Sequence, residues 1–250
     1  MIARAGRRPD APARPHAVHR LSVFDLDRTL TRRPTYSAFL LFAMRERAPW
    51  RMLLLPLLAP VALAYALGLI PRRRIKEAMQ ALALGYRVPA PALARLADGF
   101  ARRLAERGLY PEGMALVRAE QASGRRVILA TAAPRFYTLA IARALGIGEV
   151  VATDAESCDD AVRARIRGEN CYGAAKRRML AAYLARAGIA RSAAHIRFYS
   201  DHASDLPTFD YCDEAIAVNP SPKLQALARQ RGWAICDWRG AQPAPAMAMA

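Results

Sequence analysis

Asp25 and Asp27 stand two residues apart, with Thr29 and Thr31 behind them, in Phe24-Asp25-Leu26-Asp27-Arg28-Thr29-Leu30-Thr31. Two carboxylates that close together are costly to desolvate unless something cationic holds them. With a hydroxyl beside them they suit a divalent metal and a phosphate. One acid can attack phosphorus while touching the metal, and its neighbour can give and take a proton. The plainer alternative is a helix cap, with Asp25 or Asp27 closing a helix that begins near Thr31. Three other places carry residues of matching chemistry. Thr131 follows the apolar run Val127-Ile128-Leu129-Ala130 and can donate to a phosphoryl oxygen or cap the next helix. Lys176 falls in the first turn of a helix opened by Gly173, where the macrodipole disfavours a cation that has no anion nearby. Asp201 and Asp205, in Ser200-Asp201-His202-Ala203-Ser204-Asp205, are spaced so that both can face one cavity from a loop. Four converging acids repel one another without a metal, and hard oxygen ligands favour Mg²⁺.

Each of these groups needs a strand or helix end to hold it. Leu21–Phe24 is a short apolar run rich in β-formers, which places Asp25 at a strand's C-terminal end, where open α/β sheets bind their ligands. From Pro111-Glu112-Gly113 onward the pattern alternates. A helix over Met114–Ser123 leads into a strand at 126–130, then a helix over Phe136–Leu145 and a strand at Glu149–Thr153. After a small irregular or hairpin excursion over 155–170 come a helix from Gly173 to about Ala187, strands at Ile196–Tyr199 and Ala215–Val218, a short helix, and Trp233–Trp238. Strands alternating with helices imply an α/β fold with a mainly parallel sheet, its functional groups gathered at one edge.

Between the first strand and Pro111 the pattern is helical: 36–43, Ile75–Leu84 and Leu93–Leu104. Leu53 to Ile70 carries no charged residue and lies between Trp50-Arg51 and Arg72-Arg73-Arg74. Eighteen apolar residues reach the lower edge of a membrane-spanning length. Pro56 and Pro60 should break or kink a helix there, and basic flanks at both ends give no orientation. A single crossing would also part Leu21–Phe24 from the later strands of its sheet. The expectation is therefore a helical hairpin, either folded into a soluble cap or dipping into the bilayer interface with Trp50 and the arginines at headgroup level.

Of the 250 residues 38 are basic and 21 acidic, a net charge of +17, which favours anionic partners: phosphorylated substrates, acidic membrane surfaces or nucleic acid. Only Lys76, Lys176 and Lys223 are lysines. The arginines are scattered among apolar helices and no nucleic-acid-binding motif accompanies them, so nucleic acid is the weakest of the three. Hydrophobic residues make up 54% of the chain, which excludes global disorder. Cys158, Cys171, Cys212 and Cys236 form no metal spacing and read as free thiols of a reducing compartment. No signal peptide is evident: Arg7-Arg8 is followed by proline and charge instead of an apolar segment.

Taken in order, these motifs resemble the haloacid dehalogenase-like superfamily, in particular its phosphoserine phosphatase-like branch, over most of residues 20–238. Asp25-Leu26-Asp27-Arg28-Thr29 matches the family's first motif, Thr131 its second, and Lys176, with the Gly168–Gly173 lead-in, its lysine motif. Asp201 and Asp205 match the acidic loop, and Val218-Asn219-Pro220 is also in character. The resemblance implies a Rossmann-like core from 21–31 and 111–240 and a helical cap with the apolar hairpin from 32–110; the Arg-, Pro- and Ala-rich 1–20 and the low-complexity 241–250 read as mobile tails. It implies Asp25 as the nucleophile forming an aspartyl-phosphate and Asp27 as the general acid and base. Thr131, Lys176 and Arg28 would lie on the substrate phosphate. Mg²⁺ would be held by Asp25, the Asp27 main-chain carbonyl and Asp201, with Asp205 beside them positioning metal-bound water or Lys176. Arg28 stands where a glycine is common, and Ser200 and His202 replace a Gly-Asp-Gly pattern, which weakens phosphoserine as the substrate. His202 is expected to face solvent. The implied activity is Mg²⁺-dependent hydrolysis of a phosphorylated small molecule. The alternative is a lipid phosphate, since the apolar segment also resembles that of type C phosphatidylglycerophosphatases. The implied location is the cytoplasm, or a peripheral seat at the inner face of the membrane through 50–74.

Overall fold

The computed structural model describes residues 19–240. The stretch 1–18 and the low-complexity 241–250, both expected to be mobile tails, lie outside those residues. His19 and Arg20, assigned above to the basic tail, instead open the first strand, β1 (His19–Phe24), because their backbones pair with Ala194 and His195 while their side chains stay exposed. In chain order there follow α1 (Thr35–Arg47), α2 (Ala59–Ala66), α3 (Arg72–Leu84), β2 (Arg87–Pro89), α4 (Ala90–Arg107), α5 (Pro111–Ala122), β3 (Arg126–Pro134) and α6 (Arg135–Ala144). The chain continues with β4 (Glu149–Cys158), β5 (Ala161–Arg167), α7 (Ala174–Arg186), β6 (Ala194–Ser200), α8 (Leu206–Phe209), β7 (Glu214–Val218), α9 (Pro222–Arg231) and β8 (Ala234–Cys236).

The strands form one sheet in the order β2-β5-β4-β3-β1-β6-β7-β8. From β4 to β8 every neighbour is parallel, while β5 and β2 add an antiparallel edge. β1 lies at the centre and is buried on both faces. Leu21 and Val23 join Ile128, Ile196, Phe198 and Leu180 on one side; Phe24 joins Leu129 and Val150 on the other. The chain leaves β1 toward β3 and β4 and later returns on its other flank through β6 and β7, so the strand order reverses at β1. Such a reversal opens a crevice at the strands' C-terminal ends. Asp25 stands at that crevice.

Four helices, α1 to α4, fill the connection after β1. The segment is helical apart from β2, which pairs with β5 of the hairpin β4–β5, the excursion expected at 155–170. Aromatic rings join the insertion to α6 of the core: Phe39 stacks on Tyr137 at 4.5 Å and Phe100 meets the same ring edge-on at 5.9 Å.

The apolar stretch differs from its expectation in one respect. Residues 49–66 make one continuous helical run instead of a hairpin, and the return leg is α3, after a turn through Gly68. The prolines are accommodated. Pro49–Leu58 winds as a 3₁₀ helix, whose i→i+3 bonds include Ala59 N–H to the Pro56 carbonyl, and Pro60 sits in the first turn of α2, where no N–H is needed. Since β1 precedes this run and its partners β3 and β6 follow it, both ends of the run lie on one side of any membrane.

Candidate active site

Asp25, Asp27, Thr131, Lys176, Asp201 and Asp205 all line one cavity of about 260 Å³ at the C-terminal ends of β1, β3 and β6, together with Arg28, Arg72, Tyr172, His202 and Ser204. Asp25 takes its place because its N–H continues the β1–β6 ladder to the Tyr199 carbonyl, 2.9 Å away. Gly173, at φ 58°, supplies the left-handed turn that starts α7 and puts Lys176 in its first turn. The Lys176 ammonium is buried and donates to Asp25 Oδ1 at 2.7 Å and to Asp205 Oδ2 at 2.6 Å. Burial alone would lower its pKa, but Asp205 and Asp25 outweigh burial and raise it above the ordinary lysine value.

Among the acids, charge is in surplus. Burial, followed by the neighbouring Asp205, Asp201 and Asp27, drives Asp25 upward against the pull of Lys176. Asp201 is pushed up to about 7, first by burial and then by Asp205, with Lys176 and Arg28 opposing. Asp205 Oδ2 also accepts from Ser200 Oγ at 2.7 Å, yet its buried Oδ1 has no hydrogen-bond partner. Asp25 Oδ2 meets only Thr29 Oγ1, at 3.5 Å. Among the described residues no three acid, histidine or cysteine side chains are drawn into a closed ligand cluster, because the Lys176 ammonium sits between Asp25 and Asp205. The unspent carboxylate oxygens and the excess of acid over ammonium nonetheless fit a hard divalent cation such as Mg²⁺.

Asp27 is bound to the start of α1, a helix that begins at Thr35 and not near Thr31. Its Oδ1 accepts the N–H and the hydroxyl of Thr35, each at 2.7 Å, and so closes the first turn of α1 while the carboxyl still lines the cavity. Burial raises its pKa despite those bonds and the charges of Lys76 and Lys176, which suits a group that must carry a proton. Thr131 is not the cap of α6, a place taken by Pro134. Its hydroxyl oxygen accepts the Ala133 N–H at 3.1 Å across an irregularity in β3, which leaves its proton free to donate. Arg28 has φ 61°, the left-handed backbone for which glycine is best suited; here the Asn219 side chain holds the Arg28 carbonyl at 3.0 Å. His202 is exposed as expected, at the cavity rim, and bonds Ser204.

Two residues escaped the sequence reading, both from the insertion. Arg72, the first residue of α3, lines the cavity with its guanidinium 4.4 Å from the Tyr172 ring. Lys76, one turn on, is buried and donates to the Ala132 carbonyl at 2.7 Å and to Asn170 Oδ1 at 2.9 Å, tying α3 to the residue after Thr131. The scarcity of lysine was the one signal that could have drawn attention to it. Burial, then Arg72, lowers the Lys76 pKa to about 8, against 10.5 for a free lysine. Between those values the unfolded chain binds more protons than the folded one, so stability rises with pH there, and the full penalty applies below pH 8. Wild type is expected to gain roughly 3 kcal/mol relative to Lys76→Met between pH 8 and 10.5, read from urea unfolding. Parallel curves for the two proteins would contradict this placement of Lys76.

The sequence profile of haloacid dehalogenase-like hydrolases matches residues 22–210, from within β1 through all of the cavity's acids and its lysine. The chain belongs to the haloacid dehalogenase-like hydrolase family. It is 30% identical to a protein of unknown function from Bordetella pertussis Tohama I, covering 88% of this chain and 99% of that one with a TM-score of 0.80. A phosphoserine phosphatase of Mycobacterium tuberculosis is 36% identical over 122 residues, 49% of this chain and 39% of that protein. The chain thus spans about two-fifths of the length of the first curated relatives it matches. A phosphoserine phosphatase solved as a phospho-aspartyl intermediate analogue shares the haloacid dehalogenase-like fold at 17% identity, with a TM-score of 0.57 over 89% of this chain and 94% of that one.

Proposed function

We propose that the protein is a Mg²⁺-dependent phosphomonoesterase that works through an aspartyl-phosphate on Asp25. The observation that carries this reading is the Lys176 ammonium shared by Asp25 and Asp205 in a cavity that also holds Asp27 and Thr131. Asp25 Oδ2, the less engaged oxygen, attacks phosphorus as the ester P–O bond breaks. Asp27 gives its proton to the departing oxygen. A water then attacks the acyl phosphate, Asp27 takes the water's proton, and inorganic phosphate leaves with the Asp25 carboxylate restored. Lys176 and the Thr131 hydroxyl meet the charge on the phosphoryl oxygens throughout. Asp25, Asp201 and the Asp27 carbonyl would hold Mg²⁺, with Asp205 beside them. The bound ion supplies positive charge against a dianionic phosphoryl group that four acids would otherwise repel.

The cavity also bears on the leaving group. Beyond the four aspartates and Lys176 its described lining is Arg28, Arg72, Tyr172, His202, Ser204, Thr131, Pro34 and Ala132, with no further carboxylate to pair a substrate ammonium. Two guanidiniums at the rim favour a leaving group that carries an anion. A second reading, a phosphate borne on a lipid headgroup, is favoured by the exposed apolar residues that end just before Arg72.

The test is a screen of phosphomonoesters with Mg²⁺ and with EDTA. Turnover is expected only with Mg²⁺, and esters with an anionic leaving group are expected to show a KM about tenfold or more below that of phosphoethanolamine. Equal rates in EDTA would sink the metal assignment, and a preference for phosphoethanolamine would sink the reading of the rim.

A further inference from the structure

Nine large hydrophobic side chains are exposed among the described residues, and seven of them lie between Trp50 and Leu69. Isolated exposed leucines need no explanation, but a cluster of this kind does. No residue of Pro49–Leu58 or of α2 is buried. The inner side of the run is satisfied: Met52 and Leu55 pack against the core, and Arg51 donates to the Leu82 carbonyl at 2.8 Å. The outer side presents Leu53 at 82% exposure, Leu57 at 65%, Leu63 at 60% and Leu69 at 73%.

Charge and aromatic placement indicate what covers this face. From Ala48 to Ile75 there is no aspartate or glutamate, while Arg45 and Arg47 precede the run and Arg72, Arg73 and Arg74 follow it. Arg45, Arg47, Arg73 and Arg74 are all exposed; Arg73 bonds Glu77 and the Gly168 carbonyl, and Arg74 reaches Glu77 only at 3.8 Å. Exposed Trp50 and Tyr65, residues suited to the headgroup layer, mark the two ends of the run. A second copy of this chain is a poor occupant. A two-fold contact through this face would set arginines against arginines, with Glu46 the one acid among Arg45, Arg47, Arg72, Arg73 and Arg74. An anionic lipid surface matches every part: acyl chains for the leucines, headgroups for the aromatic ends, and negative charge for the arginines. With basic residues at both ends, the helix lies along such a surface.

We propose that the helical run Pro49–Ala66 with its Leu67–Ile70 turn seats the protein on an anionic bilayer surface without crossing it. Leu69 precedes Arg72 by three residues, so their Cα atoms are within about 11 Å of one another, and docking holds the cavity mouth at the headgroups. The inference stands on the exposed helix and does not depend on the chemistry assigned to Asp25.

Sedimentation of the full chain with phosphatidylglycerol vesicles and with phosphatidylcholine vesicles tests it. The protein is expected to bind phosphatidylglycerol vesicles at least about tenfold more tightly, and less so in high salt. Leu53→Ser combined with Leu57→Ser is expected to cut that binding by about tenfold or more with an unchanged melting curve. Asp25→Asn, which separates docking from catalysis, is expected to bind as wild type. Wild-type protein left in the supernatant with both vesicle types would overturn the proposal, as would a Leu53→Ser/Leu57→Ser protein that sediments undiminished. A dimer broken by the same two substitutions, in protein that ignores vesicles, would identify the face as a self-interface and also overturn it.

Discussion

Lys176→Met is expected to lower kcat/KM by about 10³-fold and to cost about 3–5 kcal/mol of stability at neutral pH without Mg²⁺. The ammonium is buried and bridges Asp25 and Asp205, so its loss leaves two carboxylates in low dielectric with no cation between them. The stability deficit should shrink as pH falls, because the acids relieve their repulsion by taking up protons. In wild type the sign is fixed by the raised Lys176 pKa: its stabilisation is complete below 10.5 and fades only as pH climbs toward the folded value. Urea unfolding at pH 5 and 7 in EDTA, with steady-state kinetics in Mg²⁺, reads both effects. A kinetic loss under tenfold would remove Lys176 from the phosphate's surroundings.

Asp25→Asn is expected to reduce turnover by about 10⁴-fold or more, since the amide cannot form the acyl phosphate. Stability should move the other way. Asp25 is forced upward by burial and by three neighbouring acids, so a neutral isostere relieves repulsion while Lys176 keeps Asp205 as partner. The melting temperature of the metal-free variant is expected to equal or exceed that of wild type. A large drop in both activity and melting temperature would make Asp25 a structural acid.

The charged groups of this site were legible because each is announced locally. A carboxylate pair ends a β-forming run, a lysine stands in a helix's first turn, and two acids sit four apart in a loop that follows a strand. Those are positions where short-range physics already makes the residue conspicuous. Other contributions depend on distant packing and leave no such trace. Lys76 reaches the Ala132 carbonyl, 56 residues on, and nothing in Arg72–Leu84 alone shows which side chain turns inward. Arg72 enters the cavity only because α3 returns from the apolar run. The pairing of Arg87–Pro89 with β5 joins two stretches separated by some 70 residues, and three residues are too short a run to show a strand period. The apolar run was legible as apolar. That its prolines do not interrupt the run follows from the 3₁₀ winding, which periodicity does not forecast.

Acid-quenched turnover of Asp27→Asn tests the central claim most directly. Without its general base this variant should form the acyl phosphate and hydrolyse it slowly, so peptide mapping by mass spectrometry should find one phosphoryl group on the peptide that carries Asp25. Turnover with a phosphoryl group on another residue, or with none trapped on any, would contradict the account.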